Sequence, residues 1–268
     1  MNELSGFAEW GPVGQAGLAT SVNWLLTTIG AAAVFAVVRV GRNLLNAMLG
    51  FAAGVMLAAS FWSLLAPSIE LSELQGSIRW MPPLIGFVVG CATLLYLDRA
   101  VHQLRPRMAV KAFSGTSHRA LLLTSAITLH NIPEGLAVGV AFGAAATEGS
   151  GASVAGAMAL SLGIGIQDLP EGMAVSLPLR ADGMSPVRSF MYGQFSGLVE
   201  VFSGVVGAIA VIAVTSLLPY ALSFAAGAMI LVTLKELIPE SMSGQQNHGI
   251  FGLVVGFSVM MVLDVALA

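Results

Sequence analysis

Apolar runs long enough to cross a bilayer, about 20 residues each, recur along the whole of this 268-residue chain. A backbone in lipid must satisfy its own N–H and C=O groups, and helical spans do so. The composition agrees. The chain is 56% hydrophobic and only 9% charged, whereas soluble domains carry about 25% charged residues. It therefore reads as an all-α integral membrane protein with eight transmembrane helices, at about 17–38, 44–66, 80–98, 119–143, 152–178, 188–214, 217–238 and 249–267. Together they form a single transmembrane domain over residues 1–268.

Orientation follows from basic residues in short loops, which stay in the cytoplasm. Arg39, Arg42, Arg99, Arg105, Arg107, Lys111, Arg119, Arg180 and Arg188 fall on one side, nine of the eleven Lys and Arg. Arg79 falls on the other side, and Lys235 near the end of span seven. With an even span count, both termini are extracytoplasmic. The N-terminus has Glu3 and Glu9 and no basic residue before Arg39, so no cleaved signal peptide is expected. Trp10, Trp62 and Trp80 fall near outer boundaries and read as interfacial anchors in contact with lipid. Cys91 is the sole cysteine. It excludes an internal disulfide framework and a multi-cysteine zinc site, and reads as a small buried residue. The loop histidines His102 and His118 read as part of a solvated basic connection.

Two stretches near the middle break the apolar pattern: His130-Asn131-Ile132-Pro133-Glu134-Gly135 and Gln167-Asp168-Leu169-Pro170-Glu171-Gly172. Each is a polar pair, an aliphatic residue, then Pro-Glu-Gly. On a helix the first and fifth positions are i,i+4 and the second and fifth are i,i+3, so three ligand-type side chains share one face. A second repeat lies outside this pair. Phe51-Ala52-Ala53-Gly54-Val55-Met56 leads to Pro67, and Phe224-Ala225-Ala226-Gly227-Ala228-Met229 leads to Pro239. In the assigned topology the copies run in opposite directions, as do spans four and five. An inverted repeat is expected, spans 1–3 matching 6–8 and span 4 matching 5, with a site near the midplane.

The chemistry of that site follows from charge. Glu134, Asp168, Glu171 and Glu200 fall within spans, where a charge costs about 2.5–3.5 kcal/mol on insertion scales. No Lys or Arg stands beside them to pair. A bound divalent cation, or two bridged by Glu134 and Glu171, supplies the missing charge. Pro133 and Pro170 cannot donate to the carbonyls of Leu129 and Ile166, so a kink is expected at each. Imidazole, carboxylate and amide ligands suit Zn²⁺, Fe²⁺, Mn²⁺ or Co²⁺ rather than Ca²⁺. The absence of thiolate suits an ion that must be released.

At these residues the chain resembles the ZIP (Zrt-/Irt-like) family of divalent metal transporters, in its bacterial form. The resemblance implies a 3+2+3 helix arrangement, with spans 1–3 over about 17–98, spans 4–5 over 119–178 and spans 6–8 over 188–267. It implies metal uptake toward the cytoplasm, zinc foremost with Cd²⁺ also possible as cargo, across the inner membrane of a bacterium. One metal would be held by His130, Gln167, Glu134, Glu171 and Met56, the other by Asn131, Asp168 and Glu200 with the same two bridging glutamates. It also suggests a pathway. Asn46 stands where bacterial relatives can carry an acid, Glu70 looks like an entrance acid, and Lys235, Glu236 and Glu240 match an exit segment. Lys235 departs from the His-Glu that relatives often carry there, and a charged lysine binds no metal. A homodimer is compatible with the Gly-rich spans, and no nucleic-acid partner is expected. Two other functions are less consistent with these residues. An intramembrane metalloprotease would want His-Glu-x-x-His, which is absent, and a non-transporting metal sensor would bind ions without flux.

Overall fold

A computed structural model of the chain describes residues 10–36, 41–112, 118–147, 150–181, 183–243 and 246–267; the side chains at 98, 101–127, 129, 130, 215, 246 and 267 lie outside the described set. Eight helices follow one another: α1 (Pro12–Ala32), α2 (Arg42–Leu74), α3 (Met81–Ala112), α4 (His118–Ala145), α5 (Val154–Ala181), α6 (Pro186–Ala213), α7 (Leu218–Ser241) and α8 (Gln246–Leu267). No strand occurs among the described residues.

Local sequence sets several ends. Pro12, Pro186 and Pro219 stand in the first turns of α1, α6 and α7, where a missing N–H costs nothing. The Ser185 side chain accepts from the Arg188 N–H to cap α6. Gly76, Gly151 and Gly183 take φ of 71°, 71° and 93° in the connections that follow α2, α4 and α5, a region open to glycine.

Five helices, α1, α2, α6, α7 and α8, are long and apolar enough to cross a membrane, and Met81–Leu97 of α3 is a shorter apolar stretch. This is a multi-pass membrane protein. Residues such as Leu25, Val88, Phe202 and Phe251 are outward-facing and half or more exposed. The sequence reading placed α4 and α5 among the spans as well, but they do not stand out by apolarity among the described residues. In α5 the cause is plain: Ser161, Gln167, Asp168, Glu171 and Ser176 are buried against other helices. A helix enclosed by protein does not need an apolar surface.

Other expectations change. Span three was expected to end near 98, leaving a loop to His118; the helix instead continues to Ala112. A helix satisfies its own backbone groups in water as in lipid, so leaving the membrane does not end it. His102 and His118 have side chains outside the described residues. Pro133 and Pro170, where kinks were expected, lie inside helices that continue past them. The irregular turns are in α2 and α7, where Ser60–Leu65 and Thr233–Leu237 widen into π-helix. Of the tryptophans, Trp10 and Trp80 are exposed, but Trp62 packs edge-on to Phe61 and Phe257 with centroids at 5.2 and 5.3 Å. Trp24 donates its indole N–H to the Gln194 carbonyl at 2.9 Å, joining α1 to α6. Cys91 is half-buried, its thiol 3.2 Å from the Gly227 carbonyl.

The helices pack as two sets of four. One holds α1, α4, α5 and α6, through α1–α5, α1–α6 and α4–α6; the other holds α2, α3, α7 and α8, through α2–α8 and α3–α7. The sets meet along α2–α5, α4–α7 and α5–α8. If α1, α2 and α3 are exchanged with α6, α7 and α8, and α4 with α5, then α2–α8 becomes α3–α7, α4–α6 becomes α1–α5, and α2–α5 becomes α4–α7. Single residues obey the same exchange. A Cβ on Gly256 would strike the Phe51 carbonyl, and one on Gly90 the Phe224 carbonyl. A Cβ on Gly135 would strike the Glu200 carbonyl, and one on Gly172 the Thr27 carbonyl.

Candidate metal centre

The interior of the α1, α4, α5, α6 set is where the acids converge. Helix α4 contributes Asn131 and Glu134, α5 contributes Gln167, Asp168 and Glu171, and α6 contributes Glu200; all six are fully buried. The i,i+3 and i,i+4 spacing within each motif brings these side chains onto one face of their helix. The Gly135 and Gly172 contacts hold those faces close to α6 and α1, since a side chain at either position would collide with backbone.

Glu134, Asp168 and Glu200 each offer a carboxylate oxygen, and the three oxygens lie within 4.8 Å of one another. At an effective dielectric of about 20, two unit charges at that separation repel by about 3.5 kcal/mol. Few partners relieve this. Gln167 donates its amide Nε2 to Glu134 Oε1. Asn131 donates its Nδ2 to the Ser196 carbonyl at 3.0 Å, which leaves its buried Oδ1 unpartnered. Both oxygens of Asp168, Glu171 and Glu200, and Oε2 of Glu134, are buried without a hydrogen-bond partner among the described residues. A dication fits such a set: it takes oxygen lone pairs and cancels the mutual repulsion.

Among the residues expected at this centre, the structure thus gathers Glu134, Asp168, Glu200 and Gln167, while Asn131 is buried and bonded to the Ser196 carbonyl of α6, one turn before Glu200. Glu171 is buried on the same α5 face but is not one of the three clustered acids. Met56 is fully buried in α2, its sulfur 3.5 Å from the Thr233 hydroxyl of α7. His130 occupies a described helical position, but its side chain lies outside the described residues.

The expected pathway residues separate to two ends. Asn46 is buried and donates to the Ser243 carbonyl at 2.6 Å. Beside it Arg42 lies 3.6 Å from Glu240 and bonds the Ser243 hydroxyl at 2.6 Å, tying the start of α2 to the end of α7. Lys235 lies 4.0 Å from Glu236. At the opposite ends of these helices a cavity of about 310 Å³ is lined by Glu70 together with Trp62, Ser63, Ser150, Leu222 and Asp264. Asp264 is not among the residues expected from the sequence. It is nearly fully buried, accepts from Ser63, and leaves Oδ2 without a partner among the described residues. The signal was available: it is the one acid in the last apolar run, and acids inside spans are rarely idle.

A profile of the family described as "ZIP Zinc transporter" matches residues 108–264. The chain is 40% identical to "Zinc transporter ZIP11" of Xenopus tropicalis, over 96% of this chain and 98% of that protein. It is 37% identical to "Zinc transporter GufA" of Myxococcus xanthus, over 90% of this chain and 94% of the relative. It is 34% identical to "Zinc transporter ZIPB" of Bordetella bronchiseptica, over 95% and 82%. The likeness is therefore to vertebrate and bacterial proteins alike, wider than the bacterial form the sequence suggested.

Proposed function

This chain belongs to the ZIP family of zinc transporters, and from that premise we propose that it imports divalent transition metal, zinc foremost, into the cytoplasm through the buried acid cluster. The family is one of transporters, and the chain is not an enzyme. The observation that carries the reading is the trio Glu134, Asp168 and Glu200, fully buried with oxygens inside 4.8 Å and no neutralising cation among the described residues.

In the proposed arrangement all eight helices span the bilayer as one domain in a 3+2+3 inverted repeat with both termini outside. The paired helix contacts and the paired glycine contacts support it, as does the basic bias of the loops. The chain sits in a cell membrane, which its long apolar helices support. The site is binuclear. Asn131, Asp168 and Glu200 hold one ion, His130, Gln167 and Met56 the other, and Glu134 and Glu171 bridge. Supporting the first set, the Ser196 carbonyl takes the Asn131 amide hydrogen and so turns Oδ1 toward a ligand role. For the second, Gln167 already touches Glu134.

The cargo enters by the cavity that holds Glu70 and Asp264, loses water to the carboxylates, and leaves past Asn46, Glu236 and Glu240. Lys235 beside Glu236 puts a fixed positive charge at the exit, which disfavours a resting metal there. Movement of the α1, α4, α5, α6 set against the other four helices alternates access.

Zinc influx into liposomes carrying the purified protein tests this. Glu134→Ala and Glu171→Ala should each abolish it; undiminished flux in both would sink the proposal. Binding without flux in the unmutated protein would favour a sensor.

A further inference from the structure

Glu134, Asp168 and Glu200 come from three different helices, α4, α5 and α6. The size of their cage is therefore set by the distances between helices. Nearest the acids, the α4–α6 distance is fixed at Gly135, the residue after Glu134. A Cβ there would overlap the Glu200 carbonyl and the Ser203 hydroxyl and would stand 2.7 Å from the Glu200 Cα. The contact joins the neighbour of one acid to the backbone of another. Gly172 holds the matching place in the second motif, with a different neighbour. Its Cβ would overlap the Thr27 carbonyl and stand 2.8 Å from the Ala31 nitrogen. Both belong to α1, a helix without Asp or Glu. The two glycines are alike in crowding, but only Gly135 sets a distance between clustered acids.

Which helix yields to an added methyl follows from burial. α6 turns Phe195, Phe202, Val206 and Ile209 outward, each at least half exposed, and α1 does the same with Leu25 and Ile29. The facing parts of α4 and α5, residues 131–145 and 167–181, expose no large apolar side chain. Carbon atoms in ordinary contact stand about 3.5 Å apart or more, so a methyl at Gly135 drives α6, and Glu200 with it, outward by about 1 Å. A methyl at the α1–α5 contact displaces α1 instead, which carries no acid. Zinc is sensitive to such a shift. Carboxylate oxygens lie about 2.0–2.2 Å from a tetrahedral zinc, which sets them about 3.4 Å from each other. The three cage oxygens lie within 4.8 Å, so the cage draws inward on a small ion, and an outward Glu200 opposes that closure. A larger dication needs less of it.

We infer that Gly135 determines size selectivity: by seating α6 against α4 at Glu200, it keeps the cage narrow enough to prefer zinc over larger dications. This rests on the proposed role of the acid cluster as the site of the transported ion.

The test is equilibrium binding of Zn²⁺ and Cd²⁺, the larger ion, to full-length protein in a Cys91→Ala background that removes the one thiol. Gly135→Ala should weaken zinc several-fold and cadmium less, so the Cd²⁺-over-Zn²⁺ affinity ratio rises. Alanine is a better helix former than glycine, so a loss comes from the contact and not from the helix. Gly30→Ala makes a collision of the same kind between α1 and α5, against the Leu169 carbonyl, and should leave the ratio unchanged. Ser203→Val adds a methyl to the α4–α6 contact from the α6 side. It should raise the ratio too, and it carries the test if Gly135→Ala does not fold. An unchanged ratio in a folded variant of either kind, or an equal rise in Gly30→Ala, overturns the inference and leaves the acid centre standing. If Glu134→Gln with Glu200→Gln leaves bound zinc undiminished, the metal-centre reading itself fails.

Discussion

Replacing Glu200 by Gln separates a metal cage from an ordinary buried polar cluster by the sign of its effects. Glu200, Asp168 and Glu134 have oxygens within 4.8 Å of one another, so in the fully ionised, metal-free centre Glu200 takes part in two repulsive pairs of about 3.5 kcal/mol each. Gln keeps the shape and removes both, relieving up to about 7 kcal/mol. Relaxation of the side chains takes up much of that. A net gain of only 1 kcal/mol still raises the melting temperature by about 2–4 °C for a domain of this size. Zinc should act the other way. At a hundred times its dissociation constant it stabilises the unmutated protein by about 2.7 kcal/mol, and each tenfold loss of affinity in the variant removes about 1.4 kcal/mol of that. Melting in detergent, with chelator and then with graded zinc, reads both effects. The variant should melt higher without metal and respond less to zinc. A variant that melts lower without metal and keeps the full zinc response would refute the reasoning.

The packing makes a second prediction: Gly54→Val and Gly227→Val each force a side chain into the backbone of α8 and α3 respectively. Each should cost about 1–3 kcal/mol or more, seen as loss of folded protein on size exclusion, with similar severity because the contacts are counterparts. Acidification should slow zinc influx steeply, because carboxylates bind metal only when deprotonated and protons compete for the same oxygens; flux in liposomes across an external pH series checks the sign. Glu70→Gln and Asp264→Asn, at the cavity, should raise the zinc concentration needed for half-maximal influx while leaving zinc bound at the central acids, as equilibrium binding would show.

Much of this was legible in the sequence because its signals are chemical rather than conformational. An acid in a lipid-length apolar run demands an explanation, and two copies of Pro-Glu-Gly at matching registers located Glu134, Asp168 and Glu171. Glu200 came from its lack of any basic neighbour, and it does join the cluster. Backbone detail was less visible. Pro133 and Pro170 lie inside helices that run on past them, where each removes one backbone hydrogen bond without ending the helix. The irregular turns instead follow Met56 and Met229. There the clue was a one-residue difference in spacing: Met56 to Pro67 is one residue longer than Met229 to Pro239, and the first π segment is six residues against five. Asp264 was overlooked for want of a motif around it. Its meaning comes from Ser63 and the cavity, which are distant in sequence.

Anomalous scattering at the zinc edge, from crystals grown with saturating zinc, tests the central claim most directly. Zinc should appear about 2.0–2.2 Å from carboxylate oxygens of Glu134, Asp168 and Glu200. An empty cluster at saturating zinc, or those three acids turned apart toward lipid, would contradict it.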